Sequence, residues 1–271
     1  MWRRLRILIL LLILLTVALN TYFDRVYSTD WNIPLRVAIY PINGDGSSQV
    51  DQYIAGLKPD RFTAMETFFQ SEARHYGLQM ERPIRFTAVP PLREVPPKLD
   101  RKSNVFGIAW WSLQMRYWAW RTPDPPGPAP DVKLFVVYHD PQLSPTVAHS
   151  VGMQKGLYAV VNVFADKSMA GSNDVITAHE LLHTLGSIDK YDLNTSQPLY
   201  PIGYAEPELK PLLPQRAAEL MGGRIPITQT DAETPESLRQ VVVGPLTASA
   251  ATSRMLTSDS ITTSILPAAS R

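Results

Sequence analysis

Residues 172–185 combine an apolar helical pattern with polar side chains that a buried helix cannot hold without partners. The apolar positions that bury the helix are Val175, Ile176, Leu181, Leu182 and Leu185. His179 and His183 are four residues apart, so on a helix they lie on one face, one turn above the other. A bound metal ion supplies the partners that such polar groups need. The stretch therefore predicts a buried helix that carries a metal site.

The spacing of the polar residues is suited to zinc. Two imidazoles four residues apart on a helix can both reach one Zn²⁺ at about 2.0–2.1 Å. Glu180 follows the first histidine and would lie beside the metal, where it can take a proton from a zinc-bound water. The chain has no cysteine, so any metal must be held by His, Asp or Glu. We therefore expect His179 and His183 as metal ligands and Glu180 as the catalytic base.

The sequence HELLHTLGSID, which starts at His179, resembles the metzincin clan of zinc peptidases. The clan's pattern is HExxHxxGxxH, or the same with aspartate at the last position, as in the snapalysin group. The resemblance implies Asp189 as the third ligand and peptide-bond hydrolysis as the reaction. It also implies that the helix ends after the second histidine and the chain reverses, which Gly186 permits by accepting a positive φ.

A second likeness lies in the sequence AELMGG at residues 218–223. Metzincins place a methionine in a tight turn beneath the zinc, so this likeness implies Met221 as structural support of the site. Two departures from the family pattern stand out: Asp189 replaces the more common histidine, and no tyrosine follows two residues after Met221. The motif match covers residues 179–223, and over the rest of the chain the likeness is one of element order.

Three alternatives stay open on sequence grounds. In a thermolysin-like arrangement the third ligand would be a glutamate further on, and the candidates are Glu206, Glu208 and Glu219. A catalytically idle, zinc-bearing envelope protein could instead bind partners through an aromatic helix and an edge strand, although Glu180 argues against it. In an anchored scaffold the histidines would merely be buried.

The N-terminus predicts export. Three arginines, Arg3, Arg4 and Arg6, precede an apolar run that extends from Ile7 to Leu19. That order places the N-terminus in the cytoplasm and the remaining chain outside it. We expect residues 1–27 to be a membrane anchor or signal segment of a single-pass cell-membrane protein. The alternative is a secreted or periplasmic protein cleaved near Val17.

The remaining pattern predicts an α/β (α+β) fold, a twisted mixed sheet with the active helix and a smaller C-terminal subdomain completing the cleft. The zinc peptidase domain should cover residues 28–245, and residues 246–271 should form a disordered tail. Strands are predicted at 35–40, 84–89, 132–138 and 158–164, the last as the edge strand that pairs with substrate in the clan. Helices are predicted at 61–76, 105–120, 172–185 (capped by Ser172 or Asn173), 215–221 and 235–242.

Charge and composition bear on partners. The formal net charge is +1, from 26 basic and 25 acidic side chains, so nothing points to a nucleic-acid partner. The expected partners are a protein or peptide substrate and a membrane, and the oligomeric state stays open. The predicted helix 105–120 holds four tryptophans, which favours packing on the sheet with one edge exposed, and a role in contacting ligand or membrane stays open.

Overall fold

The computed structural model describes residues 5–12, 14–16, 33–98, 104–154 and 156–252. Its centre is a five-stranded sheet with the order β2-β1-β3-β5-β4, in which β4 alone is antiparallel to its neighbour. The strands are β1 (Leu35–Asn43), β2 (Ile84–Ala88), β3 (Val132–His139), β4 (Val151–Met153) and β5 (Tyr158–Phe164). This largely parallel sheet, together with its helices, confirms the predicted α/β class.

Both faces of the sheet are buried, as its apolar central strands require. On β3, Leu134 and Val136 point into one cluster, whereas Phe135 and Val137 point into the other. The first cluster receives four helices: α1 (Ser48–Ala55), α2 (Thr63–His75), α4 (Ala170–Thr184) and α5 (Pro245–Thr252). The second receives only α3 (Val105–Arg121). The sheet therefore separates α3 from the helix that carries the histidines.

The prediction of an edge strand at 158–164 is wrong in position, although the strand itself is confirmed. Strand β5 lies between β3 and β4, and the edge is formed by Val151–Met153. This edge strand is three residues long and contains Gly152, so it gives no alternating apolar pattern by which sequence could reveal it.

The C-terminal part differs most from the predictions. The helices expected at 215–221 and 235–242 are absent, and the region instead holds short paired strands and a 3₁₀ turn. These are β6 (Ala218–Glu219), β7 (Ile225–Pro226), β8 (Ala232–Glu233), the 3₁₀ turn Leu238–Gln240 and β9 (Val241–Val242). Tertiary contacts override local propensity here, since β6 pairs with β9 across more than twenty residues.

The predicted disordered tail is also corrected in part. Residues 246–252 belong to helix α5, and Ala248 and Ala251 are buried against the main core. Small alanine side chains let a short helix pack closely, a possibility that composition alone does not reveal. Residues 253–271 lie outside the described residues.

The predicted anchor falls mostly outside the described residues. Of residues 1–27, only 5–12 and 14–16 are described, and they are helical with exposed leucine and isoleucine side chains. Within the part of the chain that the structure describes, no helix is both long and apolar enough to cross a membrane.

Candidate metal centre

The histidines lie on α4, which packs between the sheet and the C-terminal segment. The helix begins at Ala170 with Met169 at the N-cap position, so the prediction of Ser172 or Asn173 as the cap is wrong. Both side chains bond to other parts of the chain, since Ser172 donates to the Pro235 carbonyl and Asn173 to the Phe164 carbonyl. These contacts fix the helix to its surroundings in place of a local cap.

Backbone carbonyls orient both imidazole rings. His179 Nδ1 lies 2.9 Å from the carbonyl oxygen of Leu220, and His183 Nδ1 lies 2.8 Å from that of Ser187. A carbonyl oxygen can only accept, so each Nδ1 must carry the proton. In the neutral ring Nε2 then presents a lone pair, which is the form in which histidine binds a metal.

The two Nε2 atoms converge on one oxygen. Asp189 Oδ1 lies 3.0 Å from His179 Nε2 and 3.1 Å from His183 Nε2. With neutral rings, three electron pairs would face one another at these distances, so a proton or a metal cation is needed among them. A tetrahedral zinc with bonds of about 2.0–2.1 Å would place its ligand atoms about 3.3 Å apart, close to the separations found. These separations are compatible with a small tetrahedral metal ion such as zinc, and they are not specific to that metal.

The same contacts shift the pKa values of the site. Burial alone would raise the pKa of Asp189, but hydrogen bonds with His179 and His183 outweigh it and hold that pKa far below its usual range. Burial alone would lower the pKa of His183, yet Asp189 and the Ser187 carbonyl raise it above its ordinary value. The carboxylate is thus ionised, and the centre attracts positive charge.

A glycine turn brings Asp189 to the histidines. Gly186 has φ +103°, as predicted. Its N–H donates to the His183 carbonyl, and the N–H of Ser187 donates to the Leu182 carbonyl. These two bonds form a Schellman motif, which ends a helix and reverses the chain through a residue in the left-handed region. The third residue after Gly186 is Asp189, so the turn explains how a ligand so near in sequence can reach the same point.

Glu180 lies beside this centre and is almost fully buried. Its ligand atom and those of the two histidines all lie within 4.8 Å of one another. Oε2 has no hydrogen-bond partner among the described residues. Burial raises the pKa of Glu180 above its ordinary value, while the two histidines and the N–H of Gly152 act in the opposite direction. A buried carboxylate with a raised pKa and a free oxygen is suited to proton transfer near neutral pH.

Met221 lies in a tight turn, and the preceding residue, Leu220, contacts His179. The N–H groups of Gly222 and Gly223 both donate to the Glu219 carbonyl, and Gly223 has φ +73°. Met221 is fully buried, and its carbonyl accepts from the N–H of Lys190, the residue after Asp189. The turn thus supports the third candidate ligand as well as His179, which bonds to the preceding carbonyl.

Glu219 is engaged elsewhere and does not face the histidines. Its carboxylate accepts from the N–H groups of Gly222 and Gly244 at 2.8 and 3.0 Å. It also accepts from the Thr247 hydroxyl and lies 3.4 Å from Lys190 Nζ. All three side chains, Lys190, Glu219 and Thr247, are buried. This network joins the loop after Asp189 to the methionine turn and to α5, which gives Glu219 a structural place.

The other alternative ligands are also apart from the centre. The cluster of metal-binding side chains among the described residues consists of His179, Glu180 and His183, and it contains neither Glu206 nor Glu208. Asp189 is not part of that cluster either, and its place at the centre rests on its contacts of 3.0 and 3.1 Å with the two Nε2 atoms. Asp192 closes its own loop by accepting from the N–H groups of Asn194 and Thr195. Tyr191, in contrast to Asp192, lies beside the centre. The centroid of its ring is 6.4 Å from that of the His179 ring. Burial and the Asp189 carboxylate, to which the hydroxyl bonds, raise its pKa.

Sequence reasoning missed four contributions to the centre. Gly152 brings β4 against α4, Lys190 and Thr247 belong to the buried network, and the Leu220 carbonyl orients His179. None belongs to a local motif, so each depends on tertiary contacts. The only sequence signal was the position of Lys190 directly after a candidate ligand.

No protein-family model matches the chain, and no curated protein matches it significantly. What the protein does is therefore inferred from the chemistry of this centre.

Proposed function

We propose that the protein is a zinc-dependent endopeptidase of metzincin type. The observation that carries the proposal is the convergence of His179 Nε2, His183 Nε2 and Asp189 Oδ1 to within 3.0–3.1 Å, next to the buried carboxylate of Glu180. A purely structural metal site has no use for that free carboxylate. The Gly186 turn and the Met221 turn are the further features that the proposal would share with the clan.

His179, His183 and Asp189 would hold the metal, with one coordination position left open. When bound there, zinc supplies a Lewis acid that polarises a scissile carbonyl and lowers the pKa of water. The carbonyls of Leu220 and Ser187 keep both rings in the required tautomer.

Glu180 would move the proton. Its free Oε2 accepts a proton as water oxygen bonds to the scissile carbon, and then returns it to the amine nitrogen as the C–N bond breaks. The raised pKa of this carboxylate brings it nearer to neutral pH, which favours both transfers.

The substrate would be an extended peptide lying along β4. One side of this strand pairs with β5, and Gly152 brings the strand against Glu180 on α4. An extended segment can add to such a sheet edge through main-chain hydrogen bonds, largely independent of its side chains. We also propose that the N-terminal segment holds the enzyme at the outer face of the cell membrane.

A cleavage assay on an unstructured protein tests this proposal. The full chain, purified in detergent, should produce fragments, and His179→Ala should produce none. The matched control is His75→Ala, a histidine at the end of α2, which should leave cleavage unchanged. Equal cleavage by the His179→Ala variant would overturn the proposal.

A further inference from the structure

Helix α3 presents an apolar face that nothing among the described residues covers. Its buried side is formed by Met115, Trp118 and Ala119, which pack on the second core cluster. The opposite side carries five large side chains whose exposed fractions lie between 59% and 84%: Phe106, Trp110, Leu113, Tyr117 and Trp120. We refer to these five residues as the aromatic stripe.

The stripe is continuous along the helix. At 3.6 residues per turn its five positions fall within about 80° of one another on the helix surface. Single exposed apolar residues are ordinary, but a row of this length marks a surface that binds something apolar.

Helix α3 itself carries two basic side chains and no acidic one, and two further basic residues precede it at 101 and 102. Arg116 and Arg121 flank the stripe on its two sides. Acidic side chains lie beside both, since Arg121 pairs with Glu94 and Arg116 lines the same cavity as Asp124. Aromatic rings between arginines are typical of a helix that lies in the headgroup region of an anionic bilayer.

The chain also enters the domain beside this face. Ile33, just before β1, and Trp120, at the end of the stripe, line the same cavity. The apolar run proposed as an anchor lies upstream at residues 7–19, and residues 20–32 join it to Ile33. A spacer of that length spans at most about 45 Å, so a membrane that the proposed anchor enters is within reach of the stripe.

We infer that the aromatic stripe of α3 rests on the surface of an anionic lipid bilayer. Trp110, Tyr117 and Trp120 favour lipid over a second copy of the chain, because tryptophan and tyrosine are enriched at membrane–water interfaces. Contact through α3 places the lipid on one face of the sheet and α4 on the other. The metal centre is then held on the side of the sheet that faces away from the lipid.

A single introduced cysteine can report the environment of α3, because the chain has none of its own. The full chain with Leu113→Cys is labelled with a polarity-sensitive dye and reconstituted into vesicles of equal parts phosphatidylcholine and phosphatidylglycerol. The matched control is Leu246→Cys, an exposed leucine on α5, across the sheet. The dye at 113 should shift to the blue and be quenched by brominated lipid, whereas the dye at 246 should stay in water.

Further measurements distinguish contact with lipid from contact with a second copy of the chain. Adding Trp110→Ser and Trp120→Ser to Leu113→Cys should abolish the shift, while the protein still floats with the vesicles and still cleaves substrate. Replacing phosphatidylglycerol by phosphatidylcholine should reduce the blue shift of the dye at 113. Salt near 1 M, where the Debye length is about 3 Å, should also reduce it. An unshifted dye at 113 in vesicle-bound protein, or dye–dye quenching at 113 without any lipid, would overturn the inference. Neither result would depend on whether the centre hydrolyses peptides.

Discussion

Two regions build the candidate metal centre, and they contribute in different ways. The segment 170–191 supplies the reactive side chains, since His179, Glu180, His183 and Asp189 all come from eleven consecutive residues. The segment 215–252 contributes through backbone and burial, with the Leu220 carbonyl on His179 and a buried network around Glu219. The first region is regular and local, and the second is irregular and held by long-range contacts.

The reactive side chains and the contacts that position them therefore come from different parts of the chain. A helix and one glycine turn are sufficient to bring three candidate ligands together. The orientation of the His179 ring and the place of the loop after Asp189 depend on residues more than thirty positions away, whereas the His183 ring is oriented locally by Ser187. Substitutions in the first region should therefore abolish metal binding or turnover, and those in the second should weaken stability first.

The largest effect should come from Asp189→Ala, which removes the oxygen that lies 3.0 and 3.1 Å from the two imidazoles. Zinc affinity and cleavage should fall together by more than about a hundredfold, the upper range for losing a group that merely supports a ligand. Asp189→His should restore part of both. Isothermal titration with zinc and fragment analysis measure the two quantities.

The matched controls for Asp189 are Glu206→Ala and Glu208→Ala, which should keep the metal. If Asp189→Ala keeps its zinc and one of these variants loses it, a thermolysin-like arrangement replaces the metzincin type.

Glu180→Gln should separate catalysis from metal binding. The amide is nearly isosteric and leaves both histidines in place, so zinc should stay bound. Loss of the proton acceptor should lower kcat by at least about a hundredfold, the lower range for general-base catalysis. Glu206→Gln is the control, since Glu206 also has a buried, unpartnered carboxylate oxygen but lies outside the centre. Unchanged turnover in Glu180→Gln would require another mechanism.

Gly152→Ala should act through the position of β4. A Cβ there would lie 2.4 Å from His183 Cβ and 2.7 Å from the Glu180 carbonyl, so the strand must move away from α4. Displacement of this order costs about tenfold to a hundredfold in turnover, with zinc retained. Gly56→Ala is the control, because its Cβ would meet only ordinary contacts at 3.4 Å. Equal activity of both variants would show that β4 plays no part in binding substrate.

Thr247→Val should have the smallest effect on turnover and should mainly lower stability. Its hydroxyl serves both Lys190 and Glu219, and the buried network loses those bonds without losing volume. A cost of about 1–3 kcal/mol in the free energy of unfolding is expected, measured by urea denaturation. Thr67→Val, on the exposed side of α2, should change it by less than about 0.5 kcal/mol. Equal stability of the two variants would show that the Thr247 hydroxyl bonds do not stabilise the fold.

Sequence reasoning recovered the regular part of this protein for physical reasons. The main strands and α2, α3 and α4 follow periodic apolar patterns, and the Gly186 turn follows from the steric freedom of glycine. It failed for β4, β6 and β9, which are two or three residues long and exist only because a neighbour pairs with them. Helix α5 was missed because alanine and serine composition describes a packed short helix and a disordered tail equally well.

The same distinction between local patterns and long-range contacts applies to the residues of the candidate site. The side chains of Glu180, His179 and His183 were predicted from spacing alone, and Asp189 and Met221 from resemblance to a family. The partners that hold them, such as Lys190 and Gly152, depend on contacts between distant segments, so no local pattern could indicate them.

The metal content of the 271-residue chain decides whether the candidate centre binds zinc. Protein purified without chelator should contain one zinc per chain by mass spectrometry of the elements. Removing that zinc with 1,10-phenanthroline should abolish cleavage, and adding zinc back should restore it. A folded protein that still cleaves its substrate after the metal has been fully removed would contradict the account.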